Sequence, residues 1–444
     1  MKESISKEFL EAAAQKFTES PRNRVAMNAT VSAGIRQAAA NCQAPRSSRH
    51  SFSISLKQGE ITNQKQSGRC WMFAALNTMR FQVMKKLNLE TFELSQAYPL
   101  FYDKLEKSNY FLENILKTLE EPTEGRLLSF LLMAPLGDGG QWDMFVGLVE
   151  KYGVVPKEAM PESVSSSATA DLSSYMTEKL REDACVLRTA YQNGASMEAL
   201  REKKEAMLEE IYRMLCIALG TPPEKFTFEV RDKDEKFIRD VDITPQAFYK
   251  KYVGMNLGDY VSLINAPTAD KPFYHTYTVK FLGSVLEGRP VKYLNLPAEE
   301  LKAAAIAQLK DGEPVWFGCD VGKRSLRDGG IMDLNVLDVE GLFDVSFGMT
   351  KAQRLDYGQS LMTHAMVLQG VNLDENGKPN RWRVENSWGK EPGKDGYYVM
   401  TDDWFTEYTY QVVVNKKYLT AEQLKQWEQD PKELEPWDPM GSLA

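Results

Sequence analysis

The stretch ITNQKQSGRCWMFAALNTMR, residues 61–80, constrains this chain most. A polar loop runs into a cysteine flanked by Arg69 and Trp71, and no Pro or Gly follows until after Leu87. Phe73, Leu76, Met79 and Val83 recur at helical spacing, which predicts a long helix starting near Arg69. Cys70 then sits on the first turn, where the positive end of the helix lowers a thiol pKa. The plainer reading is that Cys70 is a small core residue, the common lot of free cysteines. The rest of the chain has to decide between them.

Only three histidines exist, His50, His275 and His364, so every possible Cys–His pair can be enumerated. The five cysteines are odd in number and widely spaced with no CxxC, which argues against a disulfide framework and against zinc. With 43% apolar and 26% charged residues the chain is of ordinary globular composition, and 444 residues allow one large composite domain or two to three units. A net charge of −8 speaks against nucleic-acid or anionic-membrane partners. The opening MKESISKEFLEAAAQKF is charged and amphipathic with no apolar core, so no signal peptide is expected. No stretch approaches the roughly 18 apolar residues of a membrane span. The expected location is the cytoplasm.

The chain reads as an N-terminal arm (1–60), a helical unit carrying Cys70 (61–160), a second mainly helical unit (161–260), a strand-rich unit (261–430) and a tail (431–444). In the arm, Phe9 to Phe17 reads as helix and the remainder to about residue 50 as irregular. The second unit reads as two charged helices split at Asn193-Gly194, then a hairpin with its tip near Asp232–Lys236. The segments DGYYVMTDDWF and YTYQVVV read as strands. Pro431, Pro436 and Pro439 keep the tail extended.

Within the strand-rich unit, His364 lies in an apolar strand and Asn386 in the next, joined through an Asn376-Gly377 turn. Such a hairpin places the two side by side. An imidazole that activates a thiol needs a third group to hold the ring, and an Asn carbonyl oxygen can do so. Trp388 could shield that contact from water. Gln64, six residues before Cys70, could join the Cys70 backbone N–H in an oxyanion hole. Each residue has a plain alternative: a satisfied core histidine, an ordinary turn, a solvated glutamine. Their conjunction favours chemistry.

The order Gln-x5-Cys-Trp, His-Ala, Asn-Ser-Trp-Gly resembles the papain-type cysteine peptidases. Two departures narrow the resemblance. His364 follows Cys70 by 294 residues and Asn386 by 316, where about 130–150 is usual, so a large insertion is required and 161–260 is its natural place. Ser67 stands where secreted members carry a cysteine, which fits a reducing compartment. NQKQSGRCWMFA, PVWFGCDVGK, THAMVLQGV, VENSWG and WDPMGSLA together resemble the bleomycin hydrolase and aminopeptidase C family, most of all its bacterial aminopeptidase C branch, over nearly the full chain.

That resemblance implies an α+β, papain-like fold: a helical subdomain plus an antiparallel, β-barrel-like subdomain, with a helical insertion and an N-terminal arm. It implies a homohexamer whose sites face an internal cavity, with the C-terminus lying in the cleft. Ala444 would then meet the α-ammonium of a peptide substrate. Gly139 and Gly140 of the turn Gly137-Asp138-Gly139-Gly140-Gln141 would pair with an extended peptide. No metal or cofactor is implied. The expected activity is a cysteine aminopeptidase working through a thioester. The competing readings are an endopeptidase of the same fold and a hexameric binding or scaffold protein with a vestigial site.

Overall fold

In a computed structural model, which describes residues 3–44, 48–57 and 59–444, the Cys70–Leu87 helix lies at the centre of the molecule. Every residue from Cys70 to Arg80 is buried, as befits a helix that is apolar nearly all round. Two of its buried polar side chains tie it to neighbouring segments. Asn77 donates to Thr62 Oγ1 at 3.1 Å, and Arg80 donates to the Glu60 carbonyl and to Glu385 at 2.7 Å. The helix stops at Asn88, whose left-handed backbone (φ 52°) turns its N–H back to the Met84 carbonyl.

Helices Ala97–Lys117, Trp142–Tyr152, Ala170–Gln192 and Met197–Leu219 pack around this centre. The Trp142 helix ends where Gly153 adopts φ 77°. The two charged helices part at Asn193-Gly194 and lead into the hairpin Phe226–Arg231/Phe237–Ile243, as their patterns predict. Thr244 caps the short helix that follows, with Pro245 in its first turn.

On the other side stands a twelve-stranded, mostly antiparallel sheet. At its centre, strand 315–319 pairs with both 409–415 and 364–373, and the last pairs with 379–385. Val315, Phe317, Met366, Leu368, Val384 and Val412 form a second core on the sheet side. Both faces of the central strands are covered, so they read as continuous apolar runs.

Three readings need correction. The tail is not extended throughout: Pro439–Gly441 forms a turn of 3-10 helix, with Pro439 in its first position. The arm beyond Phe17 is helical: Pro21–Ala33 and Ile35–Ala38 follow Lys7–Glu19, Pro21 taking the first-turn position where its missing N–H costs nothing. Residues 45–47 of that stretch lie outside the described residues. In DGYYVMTDDWF only Tyr397–Thr401 is strand. Asp402–Tyr408 is helix because the Thr401 hydroxyl accepts the Trp404 N–H and caps it. Among the described residues, no helix is long and apolar enough to cross a membrane.

Candidate active site

The helix and the sheet meet at Cys70. His364 opens strand 364–373 in register with Cys319, and the N–H of the next residue, Ala365, points at the Cys70 thiol. His364 Nε2 lies 2.9 Å from Asn386 Oδ1. A carbonyl oxygen only accepts, so Nε2 carries the ring proton and Nδ1 is left as the basic nitrogen. Asn386 is itself pinned, since its Oδ1 also accepts the Ser387 N–H at 2.8 Å. The Trp388 ring lies 4.9 Å from the imidazole, covering it as the sequence suggested. His275, by contrast, is exposed and bonds its own loop.

Burial governs the charges here. It pushes the Cys70 thiol up to about 11, against the N–H groups of Ala365, Trp71 and Cys70, and it pushes His364 down to about 4, against the bond to Asn386. The helix terminus was expected to lower the thiol pKa. In this closed site desolvation works against it, on the thiol and the imidazole alike.

Gln64 is buried in the loop before the helix. Its Nε2 donates to the Ser67 carbonyl at 2.6 Å and its Oε1 accepts the Ser387 hydroxyl at 2.6 Å. One amide N–H therefore remains for a further acceptor. Arg69, fully buried, clamps the same loop with a bidentate pair to Glu162 at 3.1 and 2.9 Å and a bond to the Ser67 hydroxyl.

The glycine turn forms one wall. A Cβ on Gly140 would sit 2.6 Å from the Trp71 ring, and one on Gly139 would sit 2.6 Å from the Ala444 oxygen, so only glycine fits at either place. Two buried lysines hold the turn from below: Lys107 bonds the carbonyls of Gly137 and Gly139, and Lys104 bonds Asp138 at 2.6 Å. Asp138 in turn accepts the Gly68 N–H at 2.9 Å and the Thr169 hydroxyl, while its carbonyl accepts the Trp71 indole N–H at 2.7 Å. Burial alone would raise Asp138. Lys104, Thr169 and Gly68 outweigh it and hold the carboxyl well below the usual range.

The C-terminal tail lies in the groove between the two walls. The Gly140 N–H donates to an α-carboxylate oxygen of Ala444, and the Ala444 N–H donates to the Gly140 carbonyl, both at 3.3 Å. Gln141 Nε2 donates to the Ser442 carbonyl at 2.6 Å, and the Ser442 hydroxyl donates to Met362, two residues before His364, at 2.7 Å. Ala444 is 4% exposed. The structure thus gathers Cys70, His364, Asn386 and Gln64 on one side of the cleft and Gly139, Gly140 and Ala444 along it. Ser387, Asp138, Lys104 and Lys107 were missed. Ser387 lies within the Asn-Ser-Trp-Gly motif, which was the available signal; for the others the partners are distant in sequence.

The model of the Peptidase C1-like family matches residues 4–441. The chain is 50% identical to aminopeptidase C of Streptococcus thermophilus over 441 residues, 99% of each chain. It is 44% identical to human bleomycin hydrolase over 449 aligned positions, again 99% of each. The crystal structure of PepW from Lactobacillus rhamnosis superposes over all of both chains with a TM-score of 0.98 at 51% identity.

Proposed function

The chain belongs to the Peptidase C1-like family and is a cysteine peptidase with the papain-like α+β fold; from this we propose that it is an aminopeptidase, removing single residues from the free N-termini of peptides. The observation that carries the reading is Ala444 paired with Gly140. A peptide chain already fills the cleft on that side, and it ends in a carboxylate.

In this reading the Cys70 sulfur attacks the scissile carbonyl carbon while His364 Nδ1 takes the thiol proton. The thiolate and imidazolium so formed stabilise each other as an ion pair by mutual attraction. Asn386 keeps the ring oriented. The Cys70 N–H and the remaining Gln64 N–H receive the oxyanion. Collapse of the tetrahedral adduct expels the amine, which takes its proton from His364, and leaves an aminoacyl thioester on Cys70. Water, deprotonated by His364, releases the amino acid and restores the thiol.

The Ala444 carboxylate gives this chemistry its selectivity. It lies desolvated beside Gly140, so an α-ammonium placed opposite forms a charge-assisted pair. An N-acylated peptide offers no such charge and collides with the tail, which disfavours the endopeptidase reading. The intact set of Cys70, His364, Asn386 and Gln64 weighs against a vestigial site.

We extend the proposal to a cytoplasmic homohexamer. The five free cysteines support a reducing compartment. Exposed Phe9, Leu10 and Phe17 on the first helix, with Phe343 at the end of helix Val339–Phe343 and Val345, Phe347 and Met349 on the loop after it, support self-association. We assign residues 161–260 to the insertion that separates Cys70 from His364 in sequence.

Acid quenching during turnover of an aminoacyl ester, followed by mass mapping, tests the mechanism. The expected result is one aminoacyl adduct, on Cys70. Turnover with no adduct there, or an adduct elsewhere, would overturn it.

A further inference from the structure

The last residue of the tail makes two long backbone bonds, 3.3 Å each, to Gly140, and Ser442 behind it is held by Gln141 and Met362 at 2.6 and 2.7 Å. The root of the tail is held firmly. Residues 432–434 add a parallel strand to 277–279. The Arg126 guanidinium stacks 3.7 Å over the Trp437 ring, with Phe130 edge-on to it. Asp438 then makes three bonds at once. Its Oδ2 meets Lys271 Nζ at 2.8 Å, its Oδ1 accepts the Met440 N–H at 2.8 Å, and its carbonyl accepts the Gly441 N–H at 2.8 Å. The last two fold residues 439–441 into a tight turn, and the buried Tyr293 hydroxyl seals it by donating to the Met440 carbonyl at 3.1 Å. Lys271 is 2% exposed and its main chain is tied to Asn295 at 2.7 Å. The anchor is therefore part of the sheet side and does not move with the tail.

We propose that the Lys271–Asp438 pair is a register lock: it fixes how far the tail reaches and thereby sets the enzyme's restriction to free N-termini. This rests on the aminopeptidase reading above. Between Asp438 and Ala444 the chain has one stiff turn and three extended residues, so a shift at the root displaces the terminal carboxylate directly. Ordering the last residues costs conformational entropy, which with a loosened root must be offset by the bonds at Ser442 and Ala444 alone. With the lock broken, the tip leaves Gly140 for part of the time, and an N-blocked peptide can take its place along the glycine wall. Lys271 and Asp438 are positioning residues, acting on substrate through Ala444.

The test uses the full chain with Lys271→Met, Asp438→Asn, Trp437→Ala and the conservative Lys271→Arg, each normalised by titration of the reactive thiol. Asp438→Asn keeps an oxygen to cap the turn while removing the charge. The kcat/KM of an aminoacyl amide is compared with that of its N-acetylated twin. The first three variants should raise the acetylated-to-free ratio roughly tenfold, equivalent to about 1.4 kcal/mol of tail docking, chiefly by raising KM for the free amine; Lys271→Arg should stay near the parent. Carboxypeptidase release of Ala444, read by mass, should quicken in the same three variants and in no other. This second readout is independent of catalysis. An unchanged ratio with unchanged Ala444 release would overturn the lock. If the parent itself cuts both twins equally, the aminopeptidase reading fails and the lock's role in specificity fails with it. A quickened Ala444 release would then still report the anchor.

Discussion

Gly140 and Ala444 face each other as two residues of neighbouring antiparallel strands do, the Gly140 N–H on an Ala444 α-carboxylate oxygen and the Ala444 N–H on the Gly140 carbonyl. The chain's own end runs along the glycine turn, with Trp71 directly beneath Gly140, and in the proposed reading it takes the place of a bound peptide. Deleting Gly441–Ala444 should therefore open the cleft. Hydrolysis of N-acetylated peptides should appear, and kcat/KM for a free-amine aminoacyl amide should fall by about tenfold or more, the worth of one charge-assisted contact. Steady-state kinetics on both substrates checks this.

Asn386 and Gln64 should fail in different ways. Asn386→Ala frees the imidazole and should lower kcat about 100-fold, in the range general acid–base catalysis supplies. Gln64→Ala removes one oxyanion donor and should lower kcat about 100- to 1000-fold. Alkylation of Cys70, which forms no oxyanion, should slow in Asn386→Ala and be nearly unaffected in Gln64→Ala.

Arg80 and Glu385 form a fully buried ion pair at 2.7 Å that ties the Cys70 helix to the strand leading into Asn386, and Glu385 also accepts Gln369 at 2.6 Å. Arg80→Met alone strands a buried carboxylate and should cost about 3–5 kcal/mol, whereas Arg80→Met with Glu385→Leu should recover most of that loss. Denaturant titration of the two variants measures it.

Asp143 is fully buried, and burial raises its carboxyl to about 7 although the Lys292 N–H donates to it. Its folded pKa lies above its unfolded value, so the native state holds the proton longer. Stability is accordingly unimpaired below the unfolded value near 4, and is lost as pH rises towards the folded value. Asp143→Asn keeps the acceptor and removes the ionisation. Its melting temperature relative to the parent should rise between pH 5 and pH 8. A difference that is flat or falling across that range contradicts the argument.

Phe9→Glu with Phe17→Glu places two charges on the exposed apolar face of the first helix. Sedimentation should show a hexamer for the parent and smaller species for the variant, with the monomer fold retained because neither side chain is buried.

Much of the fold was legible where the signal is local. The Cys70–Leu87 helix, the split at Asn193-Gly194 and the Asn376-Gly377 hairpin follow from periodicity and turn chemistry. Pro21 was overlooked as a helix-start signal, and Thr401 as a cap. Cys70, His364, Asn386 and Gln64 were nameable because each sits in a short local motif, Gln-x5-Cys-Trp, His-Ala or Asn-Ser-Trp-Gly. Asp138 was not, since its partners Gly68, Trp71, Lys104 and Thr169 come from three separate stretches. Nor was the raised thiol pKa, which follows from how deeply Cys70 is buried and not from the helix that carries it.

The most direct test is hydrolysis of one fluorogenic aminoacyl amide beside its N-acetylated twin, with Cys70→Ala as control. The expected result is cleavage of the free-amine substrate alone, and none by the variant. Equal cleavage of both twins, or activity surviving in Cys70→Ala, would contradict a thiol peptidase that reads the N-terminus of its substrate.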